Sequence, residues 1–312
     1  MQKKDNIFAR PMVAVLCAIG CNMLWGSAIP FINLGYKLFA IPSGAITTQI
    51  LFAGCRFFLA GLLTILFASL QKKTLVVPQK KNIDKVVKLA LTQTALQYFF
   101  FYIGVANTAS VKGAIIQGLN AFVAILIACF IFRTEKMNAL KWIGGLLGVM
   151  GVVVVNLNGG AIDASIKLTG EGFLLISMFA GACSSGLIKR YAQLDDPVAL
   201  SGWQFMLGGA VMAIGAFVMG GRLHPQHIGA ALVLLYLAML SAVAYTVWSL
   251  LLKVNPVSRI AVFMFLQPVF GVLLSLILYG GSDVPLLRYV LALALVSLSI
   301  VIVGKGQQVE KK

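Results

Sequence analysis

Apolar stretches of about 20 residues recur along this chain with only short connections between them, and a run of that length is what one helix needs to cross the hydrocarbon of a bilayer. Such windows fall near residues 12–34, 47–70, 86–106, 111–132, 138–157, 170–189, 198–220, 227–252, 258–280 and 285–304, which predicts an all-α membrane protein of ten transmembrane helices. The connections carry Pro, Gly, Asn and Lys and leave no room for a soluble domain. Composition agrees, because 60% hydrophobic and 11% charged residues present more apolar surface than a water-soluble core could hide.

A formal net charge of +16 would suggest a nucleic-acid partner if it formed a patch on a soluble domain. Here the basic residues sit in short loops between apolar runs, so the partner they point to is the lipid bilayer, with no nucleic acid. One side collects Lys3, Lys4, Arg10, Lys72, Lys73, Lys80, Lys81, Lys85, Lys88, Arg133, Lys136, Lys141, Lys189, Arg190, Lys253, Arg259, Lys305, Lys311 and Lys312. The other has only Lys37, Lys112, Lys167, Arg222 and Arg288. Cytoplasmic loops carry the basic excess, so both termini are expected in the cytoplasm of a bacterial-type inner (plasma) membrane. The basic N-terminus mimics a signal peptide, but the run from Met12 to Phe39 is too long and lacks a small-x-small cleavage site, so it is expected to stay as a helix.

Sliding the second half back by about 147 residues reveals an internal repeat. Tyr98 then meets Tyr245, Phe101 meets Trp248, Lys112 meets Arg259, Leu119-Asn120 meets Leu266-Gln267 and Lys141 meets Arg288. With one residue of slippage, Gly54-Cys-Arg-Phe-Phe-Leu meets Gly202-Trp-Gln-Phe-Met-Leu. The halves, residues 1–157 and 158–312, would hold five spans each, an odd number, so the copies must enter the membrane from opposite sides as an inverted repeat.

Leu24-Trp25-Gly26-Ser27 in the first helix, Arg56-Phe57 in the second, Glu135 opening the fifth, and the glycines Gly144, Gly145, Gly148 and Gly151 complete the pattern. Together with ten spans and the repeat, these marks resemble the drug/metabolite transporter superfamily in its EamA-type branch over nearly the whole chain. The resemblance implies two five-helix halves alternating access to a central cavity, in members that export or import metabolites. Many relatives carry a proline in both copies of the fourth-helix motif. This chain has Asn120-Ala121 in one and Gln267-Pro268 in the other, so the halves are expected to bend differently.

Polar side chains inside a membrane are costly unless they meet partners or water, so they mark cavities or helix contacts. No Asp, Glu or His falls mid-span, which removes the usual proton relay and the ligands of a zinc or di-metal site. Cys17 and Cys21 share a helix face, but no third ligand is near, and His224 and His227 lie together in one outer loop; neither a metal nor a cofactor is expected. Arg56 is the exception, a charge well inside the second span, either part of the site or bonding structural partners. The candidate substrate-binding set is Asn22 and Trp25 on the first helix, Gln97 and Tyr98 with Thr94 on the third, and Gln117 and Asn120 on the fourth. Ser241, Tyr245 and Trp248 on the eighth and Gln267 on the ninth complete it. Pro30 and Pro268 are hinge candidates, and the Gly144-xxx-Gly148 spacing allows close packing, within the chain or across a homodimer seam. The expected function is secondary transport of small neutral or zwitterionic organic solutes, with amino-acid or related metabolite export favoured by the resemblance. A membrane-embedded enzyme or a non-transporting subunit is the alternative.

Overall fold

The computed structural model describes residues 6–108, 110–156, 167–279 and 286–309. Seven of its helices are long and apolar enough to cross a membrane, and three shorter apolar helical stretches bring the spans to ten. In chain order they are α1 (Pro11–Leu38), α2 (Ile46–Lys72), α3 (Ile83–Ala106), α4 (Ser110–Gly118 and Asn120–Phe130) and α5 (Ala139–Asn156). The second set is α6 (Leu168–Tyr191), α7 (Pro197–Val218), α8 (Ile228–Val254), α9 (Val257–Ala261, a 3₁₀ turn Val262–Phe265, then Leu266–Tyr279) and α10 (Leu286–Val309). Side chains such as Phe67, Leu70, Val218 and Ile228 are exposed on the outer surface, as lipid requires.

The two fourth helices break at equivalent places by different means. In α9 the interruption precedes Pro268, whose ring nitrogen has no hydrogen to offer the carbonyl of Met264, and the chain winds as 3₁₀ before Leu266. In α4 no proline is present. Leu119 separates the two segments, its N–H shared between the carbonyls of Ile115 and Ile116, directly after Gly118, which lies against Val152. Pro30, by contrast, sits inside an α1 that continues unbroken to Leu38.

The two sets meet through equivalent helices packed antiparallel. At the α2–α7 seam Gly54 faces Gly209 and Gly61 faces Gly202: a Cβ on Gly54 would lie 2.4 Å from the Ala213 nitrogen, and one on Gly209 2.3 Å from the Phe58 nitrogen. Gly54 and Gly202 are repeat partners, as are Gly61 and Gly209, so each contact is the image of the other, as a twofold axis requires. On α5, Gly144 and Gly151 pack on Val303 and Val296 of α10, and Gly148 receives the Phe265 ring, so this glycine ladder is filled from within the chain. The expected junction of the halves at residues 157 and 158 lies outside the described residues.

Long-range bonds gather the basic segments at one end of the bundle. Lys72 pairs with Asp196, and Lys85 with Asp195 at 2.6 Å. Asn255 donates to the Phe8 carbonyl at 2.9 Å and Lys189 to the Asn255 carbonyl at 2.7 Å. Glu135 accepts from Lys141 at 3.1 Å, from Ser258 and from Gln307. The opposite end holds Leu38 against Gln226 and Thr48 against Arg222.

Candidate functional site

A residue can touch its own repeat image only on the axis that relates the copies. Tyr98 on α3 and Tyr245 on α8 are such images, 147 residues apart, and their hydroxyls are 2.5 Å apart. Phe57 on α2 and Phe205 on α7 are another such pair, stacked with centroids 5.5 Å apart and planes 11° from parallel. The cross contacts repeat as well: Phe57 meets Tyr98 at 4.3 Å and Phe205 meets Tyr245 at 4.8 Å. Four rings thus close the centre of the bundle about the axis. Trp25 of α1 extends the cluster on one side, its ring 4.9 Å from both Tyr245 and Trp248. Each such pair contributes about 0.5–1.5 kcal/mol beyond its buried area, and Phe57, Phe205, Trp25, Tyr245 and Trp248 are all buried in this packing.

Polar ties flank the rings. Arg56 is 2% exposed. Its Nε and Nη2 donate to Ser241 Oγ at 3.0 and 2.9 Å, and its guanidinium lies 4.9 Å from the Phe57 centroid. Ser241 in turn donates to the Leu237 carbonyl. Across the axis Gln204, the image of Arg56, accepts from Thr94, the image of Ser241, at 2.8 Å and donates to Gln93 at 2.9 Å. One tie is charged and its image is neutral.

Two buried polar atoms on α1 beside this centre, Asn22 Oδ1 and Trp25 Nε1, have no hydrogen-bond partner in the protein, and neither do Gln117 Nε2 and Asn120 Oδ1 at the break in α4. Asn22 uses only its amide nitrogen, donating to the Ala18 carbonyl at 2.7 Å. Buried donors and acceptors left open cost about 1–3 kcal/mol each, so atoms of this kind are suited to meet a solute or ordered water.

Residues 12–157 and 168–304 match the model of the EamA-like transporter family. The chain belongs to that family. An uncharacterized transporter of Synechocystis sp. is 26% identical over 79% of each chain, and the uncharacterized inner membrane transporter YedA of Escherichia coli K12 is 24% identical over 95% of this chain and 92% of its own. A solved crystal structure shares the fold with a TM-score of 0.76 at 17% identity, covering 94% of this chain and 96% of that one.

Within this EamA-like transporter, Trp25, Tyr98, Ser241, Tyr245 and Trp248 come together with Arg56 at the centre. Gln97 does not join them; its amide packs against Gly181 of α6. Asn120 opens the second segment of α4, with Gln117 just before the break, while the Gln267 carbonyl lies against Gly26 of α1. Ile29, on the Trp25 face by spacing, is exposed. Gln93, Gln204 and Phe205 were not singled out from the sequence, although Gln204 and Phe205 stand opposite Arg56 and Phe57 in the repeat. His227 is the N-cap of α8, its Nδ1 accepting from the Gly229 N–H, and among the described residues no three His, Cys, Asp or Glu converge as metal ligands.

Proposed function

We propose that this EamA-like transporter carries small neutral or zwitterionic organic solutes, amino acids or related metabolites foremost, outward across an inner membrane by alternating access of its two halves. The observation that carries the proposal is the centre on the axis, where aromatic faces lie beside buried groups whose hydrogen bonds are open. Aromatic faces supply affinity for an apolar part and open amide and indole groups supply orientation. The basic end of the bundle would face the cytoplasm, with both termini. Pro268 and the break at Leu119 supply bending points in opposite halves. An enzyme would need a nucleophile beside a base, and among the described residues no His, Asp or Glu joins the cluster.

Counterflow with purified protein in liposomes tests this against amino acids, nucleosides, sugars and lipophilic cations. Exchange of amino-acid-like solutes is expected. A pH step of about two units, roughly 2.7 kcal/mol per proton, is expected to leave exchange little changed, because among the described residues no acid or His joins the centre to carry the proton. Exchange of none of the four classes would sink the transport reading, and uphill accumulation driven by the pH step would overturn the coupling.

A further inference from the structure

The internal repeat contains its own control for Arg56. Arg56 and Gln204 occupy equivalent positions and bond the hydroxyls of equivalent partners, Arg56 donating to Ser241 and Gln204 accepting from Thr94. Because the neutral amide suffices on one side, the charge on the other is not needed to hold α2 to α8. A guanidinium this buried is costly without a negative partner. Every described carboxylate is engaged elsewhere: Glu135 with Lys141, Ser258 and Gln307, Glu171 with the Lys167 N–H, Asp84 with Lys88, Asp195 with Lys85 and Asp196 with Lys72. Ser241 answers two of the five guanidinium N–H groups and carries no charge.

We infer that Arg56 receives the carboxylate of the transported solute, which narrows the substrate class to small carboxylate-bearing molecules with an apolar part. The inference rests on the transport reading above. Along α8, Ser241, Tyr245 and Trp248 follow one another on one face, and the rise from the first to the last is about 10 Å. A zwitterionic amino acid fits that length, with its carboxylate at Arg56 and its side chain against Trp25, Tyr245 and Trp248. A single guanidinium fork matches one carboxylate, whereas phosphate recruits several basic groups. The asymmetry between Arg56 and Gln204, like the one-sided Trp25, gives the solute a fixed polarity on a centre built about a twofold axis. Because Arg56 is buried, the carboxylate reaches it only in the opening step of the cycle.

The test is counterflow by the full chain in liposomes, with leucine compared against leucinamide and against N-acetyl-leucinamide, which is neutral overall like the zwitterion but has no carboxylate. Wild-type protein should exchange leucine about tenfold faster or more than either amide, as a charge-assisted pair predicts. In Arg56→Gln, a side chain the fold already holds at the image position, that ratio should fall toward one, while Arg56→Lys should keep part of it. A uniform loss for all three solutes in Arg56→Gln would make Arg56 a structural tie and overturn the inference. Should Arg56→Gln not fold, the wild-type ratio decides alone, and equal exchange of acid and amides overturns the inference while transport stands. Exchange of none of the three, with the broader solute screen also silent, removes the transport reading and the inference together.

Discussion

Because the Tyr98 and Tyr245 hydroxyls bond each other across the axis, neither can be removed without costing the other its partner. Tyr98→Phe and Tyr245→Phe should each destabilise the protein by about 0.5–1.5 kcal/mol, and the double variant by no more than the worse single one. Thermal unfolding in detergent reads this directly, and simple additivity would show that the hydroxyls are bonded elsewhere. These residues were legible in the sequence because the repeat placed identical side chains opposite each other. Gln204 was not, since an amide in an apolar run reads the same whether it ties helices or lines a cavity. Gln97 was assigned to the Tyr98 face by regular helix spacing. The π-helical turn Ala90–Leu96 just before it changes the phase of the helix, and Gln97 points to α6 instead.

The elements show the same division. Helix positions followed the apolar runs closely, with α1 extending through Pro30 beyond its expected end, because bilayer thickness and hydropathy act over whole spans. The break in α4 was invisible because nothing in the sequence announces it as Pro268 announces the one in α9. The α2–α7 seam depends on backbones in contact. Gly209→Val should force these helices apart at a cost of about 1–3 kcal/mol or more, lowering the unfolding temperature or the monodisperse yield. At Gly215, on the same helix, no atom lies within 4 Å of a built Cβ, so Gly215→Ala should leave both measures near wild type. Equal behaviour of the two variants would mean the seam is looser than these distances require.

For the whole molecule, the tie points that join Phe8, Lys72, Lys85, Glu135, Lys189, Asn255 and Gln307 at one end require an even number of spans between each of these segments. Reporter fusions after Lys81, Arg190 and Gln307 should therefore report the cytoplasm, and fusions near Ile162, which lies outside the described residues, and His224 should report the outside. A cytoplasmic signal at Ile162 would contradict five spans per half. The charge pattern and the repeat made this architecture legible, whereas the position of the axis between Phe57 and Phe205 required coordinates. What the centre does is tested most directly by solute exchange in liposomes by Trp25→Ala and Tyr245→Ala beside the wild type, each variant first checked for normal expression and monodispersity. A substrate site on the axis predicts that both variants lose most exchange, about tenfold or more, when two aromatic contacts and their bound groups are removed. Wild-type exchange rates in both well-folded variants would contradict it and place the solute elsewhere in the bundle.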